Sequence, residues 1–361
     1  MSNQIERRDF LKLAGLGGAV LASGLGPWGR AMAAAGQDFT FVQLTDSHWG
    51  FEGPPNPEAK NTLRKAVAAV NSLEHQPDFI MFTGDLTHAA SDDQERQRRM
   101  TEFKSIVSEL KCKDVRFIPG ENDAGLDNGE MYKQMFGNGH YSFDHKGVHF
   151  VVLNSILTFD EWTFRRWPTA EQRMQEMAGL DNPNSSPFMV GEKQRNWLRE
   201  DLAKISHETP IVVFSHSPLQ KIYKGWNFWT DDAEEVQALL QPFNSVNVIY
   251  GHVHQIQYNQ IGNISFNSVM ATAWPWPYPQ SYAQAESHLP VLTVPMNRGD
   301  PFFERDATGW QLIDVNSGRV AARYQLWDNE PRTVAFDHKQ GRPVDLAFQE
   351  PTNRRLPQSH Y

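Results

Sequence analysis

Five short groups of metal-ligand residues occur in this sequence, and each follows the end of a hydrophobic run. Carboxylates, imidazoles and amides of this kind bind metal ions in proteins. In chain order the groups are Asp46-Ser47-His48, Gly84-Asp85, Gly120-Glu121-Asn122-Asp123, Ser215-His216 and Gly251-His252-Val253-His254. One such group alone is weak evidence, because Gly-Asp is a common turn dipeptide and a lone histidine is more often hydrogen-bonded in a core. Five groups in succession predict a pocket for two metal ions.

The hydrophobic runs before these groups have the composition of buried β-strands, since they are short and rich in Val, Ile and Phe. The predicted strands are Phe39 to Leu44, Phe79 to Phe82, Val115 to Ile118, Val148 to Leu153, Ile211 to Phe214 and Val246 to Tyr250. Segments with helical periodicity lie between them. The predicted helices are Pro57 to Leu73, Gln94 to Leu110, Glu192 to Ile205 and Asp231 to Leu240. This alternation predicts an α/β fold with the five groups at the carboxyl ends of strands, where such sheets place their sites.

The spacing within the groups suggests how their side chains converge. On a strand, residues i and i+2 point to the same side, so we expect Asp46 and His48 to meet at one ion, and His252 and His254 likewise. Asp85 follows a glycine, where a tight turn can present its carboxylate between two ions. Among the histidines outside the groups, His88 is the one to examine, because it follows Asp85 closely.

The ordered groups resemble the motifs of the calcineurin-like metallophosphoesterase superfamily, especially its cyclic-nucleotide phosphodiesterase-like branch. The resemblance covers about Phe39 to Asn267, and its closest matches are Gln43 to His48, Phe82 to Leu86 and Tyr250 to Gln255. It implies a four-layer α/β/β/α sandwich in which two sheets lie between helices. The fold class that we expect is therefore α/β, with a C-terminal β extension.

The resemblance also implies a ligand set and a reaction. One metal ion would be held by Asp46, His48, Asp85 and His254. The other would be held by Asp85, a residue of the third group, His216 and His252. The implied activity is hydrolysis of a small phosphomonoester or phosphodiester substrate, by in-line attack of a hydroxide that bridges the two ions.

The third group departs from the family pattern, in which Gly-Asn-His is followed by Asp or Glu. Read in register, Glu121 replaces the metal-binding amide. Asn122 then replaces the histidine that is thought to protonate the leaving group or steady the phosphoryl oxygens. Asp123 keeps its place and can orient a neighbouring group. A slip of one residue would instead make Asn122 the ligand, although the in-register reading is preferred because Gly120 and Asp123 then stay aligned.

This departure has chemical consequences. Glu121 adds a third carboxylate to Asp46 and Asp85, which favours a more highly charged metal pair such as Fe(III) with a divalent ion, while zinc and manganese stay open. Loss of the histidine removes a proton donor of a kind that contributes about 10²- to 10⁴-fold to rates. The alternative to an enzyme is therefore a metal-binding or phosphate-sensing scaffold with little or no turnover.

The N-terminus has the pattern of an export signal. Arg7 and Arg8 are followed by Phe-Leu-Lys and by a Gly/Ala-rich apolar stretch, and the small residues at 31–35 offer a cleavage site. Residues 1–35 are therefore predicted to be a twin-arginine signal peptide. The predicted partner is the twin-arginine export machinery, and the predicted location is the periplasm. Neither this stretch nor any later run has membrane-spanning length.

The charge, the single cysteine and the order of the segments allow three further predictions. A net charge of −9 without a basic run argues against a nucleic-acid footprint. The single cysteine, Cys112, is predicted to be a buried apolar residue. We assign 36–270 to the phosphoesterase domain and 271–361 to a Trp/Pro-rich loop and a C-terminal β-hairpin. The aromatic residues of that loop form either a surface for stacking on substrate or, preferably, a rigid lid; they are Trp274, Trp276, Tyr278 and Tyr282.

Overall fold

A computed structural model gives the structure of the chain. It describes residues 19–21, 38–52, 59–90, 92–124, 127, 129–156, 188–222, 228–275, 307–316, 319–328, 334–337 and 342–345. Several predicted features lie outside these residues. They are the Arg7-Arg8 pair, most of the Trp/Pro-rich loop, and the aromatic residues Trp276, Tyr278 and Tyr282.

The described residues form fourteen strands and six helices. The strands are β1 (Ala19–Leu21), β2 (Phe39–Leu44), β3 (Phe79–Thr83), β4 (Val115–Ile118), β5 (Tyr141–His145), β6 (Val148–Val152), β7 (Ile211–Ser215), β8 (Val246–Tyr250), β9 (Gln257–Ile261), β10 (Ile264–Ser268), β11 (Ala307–Asn316), β12 (Arg319–Asp328), β13 (Val334–Asp337) and β14 (Arg342–Asp345). The helices are α1 (Ala59–Asn71), α2 (Asp93–Val107), α3 (Glu121–Ala124), α4 (Glu130–Phe136), α5 (Glu192–Leu202) and α6 (Ala233–Leu240).

Twelve of these strands form two mixed sheets of six. The first has the order β1-β12-β11-β2-β3-β4, and the second has the order β5-β6-β7-β8-β10-β9. In the first sheet β2, β3 and β4 are parallel. In the second, β6, β7, β8 and β10 are parallel. Because the strands that precede the candidate ligands run parallel within each sheet, their carboxyl ends share one edge.

An aromatic core lies between the two sheets. Phe41 and Phe79 from the first sheet meet Phe150 and Phe214 from the second, with neighbouring ring centroids 4.8 to 6.0 Å apart. Strands that are buried on both faces have continuous apolar sequences instead of alternating ones. This explains why the sequence predicts them well.

Helices cover the outer face of each sheet. Residues of α1, α2 and α4, including Leu63, Phe103 and Tyr132, pack on the first sheet. Residues of α5 and α6, including Leu198 and Val236, pack on the second. The resulting α/β/β/α arrangement confirms the predicted four-layer sandwich.

The C-terminal β extension continues the first sheet. The predicted hairpin is present as β11 and β12, and β11 pairs antiparallel with β2, so that Leu312 lies opposite Val42. At the far edge, β1 pairs with β12, although Ala19–Leu21 falls within the predicted signal peptide. Cys112 is buried, as predicted. No helix within the described residues has the length and apolarity that are needed to cross a bilayer.

Candidate metal centre

Seven ligand-type side chains meet at the shared edge of the two sheets, and none of them is more than 9% exposed. They follow five strands, namely β2, β3, β4, β7 and β8. The seven residues are Asp46, His48, Asp85, Glu121, His216, His252 and His254. The structure therefore brings together all the residues that the sequence proposes as ligands.

Tight turns aim most of these side chains. Five of the seven have a left-handed backbone, with φ between 39° and 67°, and these are Asp46, His48, Asp85, His252 and His254. Among the described residues, Lys146 is the one other non-glycine residue with positive φ. This conformation costs non-glycine residues of order 1–3 kcal/mol each and persists where surrounding contacts impose it, often at functional sites. Here main-chain hydrogen bonds impose it, for example from Asp46 N–H to the Gly84 carbonyl at 3.0 Å.

One group of ligands contains Asp46, His48 and His254. Their ligand atoms lie within 4.8 Å of one another. His48 Nε2 is 3.2 Å from His254 Nε2, and His254 Nε2 is 3.3 Å from Asp46 Oδ1. Asp85 Oδ2 borders this group, at 3.4 Å from His48 Nε2. The convergence of Asp46 and His48 is as expected, but turns after the strand produce it instead of strand alternation.

The other group contains Glu121, His216 and His252. Glu121 Oε2 lies 2.8 Å from His216 Nε2, and Glu121 Oε1 lies 3.0 Å from His252 Nδ1. Asp85 Oδ2 is 3.7 Å from His216 Nε2, so this carboxylate stands between the two groups. The expectation from spacing that His252 and His254 meet at one ion is wrong, because both follow the end of β8 in left-handed turns. His252 lies with Glu121 and His216, and His254 lies with Asp46 and His48, which is the division that the family resemblance implies.

Hydrogen bonds determine which imidazole nitrogens face the centre. His216 Nδ1 lies 2.7 Å from the Thr83 carbonyl oxygen, and His254 Nδ1 lies 2.6 Å from the Trp274 carbonyl oxygen. A carbonyl only accepts, so each Nδ1 carries a proton and each Nε2 faces the centre. Imidazole lone pairs and carboxylate oxygens at these separations repel one another unless a proton or a cation lies between them. The residues therefore fit a pair of metal ions.

The pKa shifts of His216, Asp85 and Glu121 also indicate that the clustered carboxylates favour positive charge at the centre. Burial by itself would lower the pKa of His216, but the Asp85 and Glu121 carboxylates hold it well above its ordinary value. Burial and then the charge of Glu121 raise the pKa of Asp85 well above its usual range. Burial would also raise the pKa of Glu121, yet His252 and His216 hold it well below that of a free glutamate. Without bound cations, protons on His216 and Asp85 would balance the clustered carboxylates.

Asn122 contacts the carboxylate between the two groups. Its main-chain N–H donates to Asp85 Oδ1 at 2.9 Å, and its side-chain amide donates to Asp85 Oδ2 at 2.6 Å. Its own amide oxygen accepts from the Ala89 N–H at 3.1 Å. Of the two registers that the sequence leaves open, the structure has the one in which Glu121 faces the histidines. Asn122, predicted at the catalytic position, here orients Asp85.

Asp123 ties two loops of the site together. It is fully buried, and its carboxylate accepts main-chain N–H bonds from Gly120, Leu86 and Thr87, each at 3.0 Å. Burial raises the pKa of Asp123 to about 6, against the effect of these bonds. Asp123 therefore connects the third group to the loop after β3, and its contacts are those of a positioning residue.

Residues outside the predicted ligand set also contact the ligand histidines. The Thr83 and Trp274 carbonyls do so as described, and His88 faces His48. Trp274 is also 5% exposed, and its ring centroid lies 4.3 Å from that of His48. Its ring therefore covers a ligand. The two main-chain carbonyls cannot be identified from the sequence, because every residue has one. His88 can be identified, because it follows Asp85 closely.

Comparisons with known proteins agree with this site. The family model for calcineurin-like phosphoesterases matches residues 39–256, which is more than half of the chain. The human serine/threonine-protein phosphatase CPPED1 is 26% identical over 162 residues, covering 43% of this chain and 44% of that protein. The probable glycerophosphodiester phosphodiesterase GpdQ of Arcobacter nitrofigilis is 24% identical over 226 residues, which cover 60% of this chain and 71% of that protein. The match thus spans about half the length of the human relative.

A solved structure has the same fold. The crystal structure of a dimetal phosphatase from Danio rerio superposes with a TM-score of 0.50 at 15% identity, covering 80% of this chain and 97% of that one. At this identity the similarity supports the fold alone.

Proposed function

The chain belongs to the calcineurin-like phosphoesterase family, and we propose that it is a dinuclear metal-dependent hydrolase of phosphomonoesters or phosphodiesters. The observation that carries this proposal is the convergence of seven buried ligands into groups that meet at Asp85. A bound metal pair would supply an activated water and positive charge against the phosphoryl oxygens. The names of the relatives, a phosphatase and a phosphodiesterase, support both ester classes.

The chain's own residues would bind the two metal ions and hold the ligand side chains in position. Asp85 lies between the two ligand groups, where it would contact both ions, and Asn122 fixes its two oxygens. The carbonyls of Thr83 and Trp274 hold His216 and His254 with Nε2 toward the centre. Outer hydrogen bonds of this kind orient metal ligands and raise their basicity. The reaction requires no nucleophilic side chain.

The decisive experiment is a phosphoester assay on purified, metal-loaded protein. We expect hydrolysis of an aryl phosphomonoester or an aryl phosphodiester, and its loss in Asp85→Asn. Glu74→Gln, which removes one charge from an exposed residue away from the site, is the matched control and should keep wild-type rates. Metal retention without turnover on either ester would contradict the proposal.

For the metal pair, we propose Fe(III) with a divalent partner, and manganese and zinc are the alternatives. The support is Glu121, which brings a third carboxylate into contact with His216 and His252. More negative ligands favour a harder, more highly charged ion. Metal analysis of protein that its native host has exported tests this, and a preparation that contains divalent ions alone would contradict it.

We also propose export by the twin-arginine pathway and a periplasmic location. The support is the sequence of the first 35 residues, with Arg7 and Arg8 before an apolar stretch. Because this pathway moves folded proteins, the centre could acquire its metals before export. Cell fractionation and the mass of the exported protein test this. Lysine at both arginine positions should retain the protein in the cytoplasm.

A second candidate is a phosphate-sensing or metal-binding scaffold. The observation that favours it is Asn122, which stands where the family has a histidine and whose amide is bonded to Asp85. Such a protein would bind inorganic phosphate at the loaded centre without turning over esters. Calorimetric titration of phosphate into the metal-loaded protein, beside the ester assay, separates the two functions.

A further inference from the structure

A second imidazole, that of His88, faces the side of His48 that is turned away from the metal centre. Nδ1 of His48 lies 3.3 Å from Nδ1 of His88, and the ring centroids are 5.4 Å apart. The other nitrogen, His48 Nε2, faces His254 and Asp85. A neutral imidazole that binds an ion through Nε2 carries its proton on Nδ1, and this proton needs an acceptor.

The four ligand histidines differ in the partner of the ring nitrogen that is turned away from the centre. His216 and His254 donate to main-chain carbonyls. His252 faces Glu121 through Nδ1, and its Nε2 has no hydrogen-bond partner within the described part of the chain. His48 has the imidazole of His88. Its acceptor is therefore a side chain, which a substitution can remove without changing the backbone.

The surrounding structure fixes His88 firmly. Its main-chain N–H donates to the Trp49 carbonyl at 3.0 Å, and its carbonyl accepts from Arg99 Nη1 at 3.0 Å. Its ring meets that of Phe51 edge-on, at 5.1 Å between centroids. His48 is held as well, because its own N–H donates to the Asp85 carbonyl at 2.9 Å. Contacts from several elements thus impose the angle between the two imidazoles.

We propose that His88 is a positioning residue for the metal centre, whose unprotonated Nδ1 accepts the Nδ1–H of His48 and so directs His48 Nε2 toward an ion. The opposite tautomers would put a proton on His48 Nε2, only 3.2 Å from His254 Nε2, and would block binding there. This inference rests on the proposed function in one respect, that the centre binds metal. Outer partners of this kind are worth about 10- to 100-fold in metal affinity.

A matched pair of substitutions tests the role. Asn and Leu have similar size and branching, and an asparagine Oδ1 can stand where the histidine Nδ1 stands. We expect His88→Leu to weaken one of two binding events for Zn²⁺ by about 10- to 100-fold, and His88→Asn to restore most of that loss. The measurement is competition with a chromophoric chelator on the full chain, without substrate. His75→Leu, at an exposed position, is the control and should bind as the wild type does.

Nitrogen NMR of the histidine rings in the wild-type protein provides a test that needs no variant. With Zn²⁺ bound, we expect His48 to carry its proton on Nδ1 and His88 to carry its proton on Nε2. The proposal is overturned if His88→Leu binds Zn²⁺ like the wild type, if both variants lose affinity equally, or if His88 carries its proton on Nδ1. A wild-type protein that binds no metal would instead overturn the proposed function.

Discussion

Asn122 bonds to both oxygens of Asp85, through its main-chain N–H at 2.9 Å and its side-chain amide at 2.6 Å. Asp85 lies between the two groups of metal ligands, at 3.4 Å from His48 Nε2 and 3.7 Å from His216 Nε2. The residue that replaces the usual histidine is thus an additional support for the shared carboxylate. An asparagine at this position has no acidic proton to give to a leaving group.

Asn122→His should therefore extend the range of leaving groups. The new imidazole can protonate a poor leaving group, while the side-chain bond to Asp85 is lost. We expect slower hydrolysis of an aryl ester, and a ratio of alkyl-ester to aryl-ester rates that rises by up to about 10²- to 10⁴-fold, the typical contribution of general acid catalysis. Steady-state kinetics on a matched alkyl and aryl pair give this ratio.

The control for this prediction is Asn122→Leu, which removes the amide at similar size and supplies no proton donor. It should slow both esters together and leave their ratio unchanged. An unchanged ratio in Asn122→His would mean that a histidine at this position does not reach the leaving group.

Glu121→Asn should shift the metal content toward divalent ions. This change restores the family residue and removes one of three carboxylates. The remaining ligands then compensate less positive charge on the bound metal ions. We expect the iron fraction of native preparations to fall, with loss of the Fe(III) signal in electron paramagnetic resonance. Glu130→Gln, an exposed change in the first turn of α4, should leave the metal content as it is. Identical iron content in wild type and Glu121→Asn would refute the role of the third carboxylate.

The sequence locates the centre well, because buried parallel strands have continuous apolar runs. Where such a run ends, the carboxyl edge begins, and ligand-type residues such as Asp46 and His216 follow within two positions of the strand. Edge strands are harder to predict. Strands β5 and β9 escape prediction because polar residues make up much of both.

The spacing of the residues does not show how the ligands divide between two positions, and the family resemblance alone implies that division. His252 and His254 both have positive φ, at 67° and 48°, so the two-residue period of a strand does not apply to them. Intrinsic preferences oppose this conformation in non-glycine residues, and long-range contacts impose it here. The bond from His252 N–H to Asp46 Oδ2, at 3.0 Å, joins residues that are 206 positions apart. The Trp274 carbonyl is out of reach of sequence reasoning for the same reason.

Gly84→Ala should disrupt the centre far more than Gly137→Ala. The two glycines have nearly the same φ, at 94° and 91°. A Cβ on Gly84 would lie 2.2 Å from His216 Nδ1, whereas one on Gly137 would meet nothing within 4 Å. We expect Gly137→Ala to lower the free energy of unfolding by about 1–3 kcal/mol through backbone strain alone, with metal binding intact.

Gly84→Ala should add a steric clash to this strain, because His216 is hydrogen-bonded to the Thr83 carbonyl and cannot move away freely. We expect a larger loss of stability in urea unfolding, together with loss of metal binding. Equal losses of stability, with metal binding retained in both variants, would show that His216 has more freedom than its contacts indicate.

Metal binding should release a proton from His216. The Asp85 and Glu121 carboxylates hold the pKa of His216 well above 6.5, so at neutral pH the metal-free ring carries two protons. The Thr83 carbonyl retains the one on Nδ1, and a bound ion must displace the one on Nε2. Protonation competes with the metal, so affinity should rise with pH, by about tenfold per unit for each proton released.

Calorimetric titration of Zn²⁺ in buffers with different ionisation enthalpies counts these protons. We expect His216→Gln to release about one proton fewer than the wild type at pH 7, because glutamine has no ionisable group. Asp85, whose pKa burial and Glu121 raise, should account for part of the release that remains. His75→Gln, at an exposed position, should leave the count unchanged. The same proton count in His216→Gln and wild type would mean that His216 is already neutral in the metal-free protein. Other groups would then balance the negative charge of the carboxylates around it.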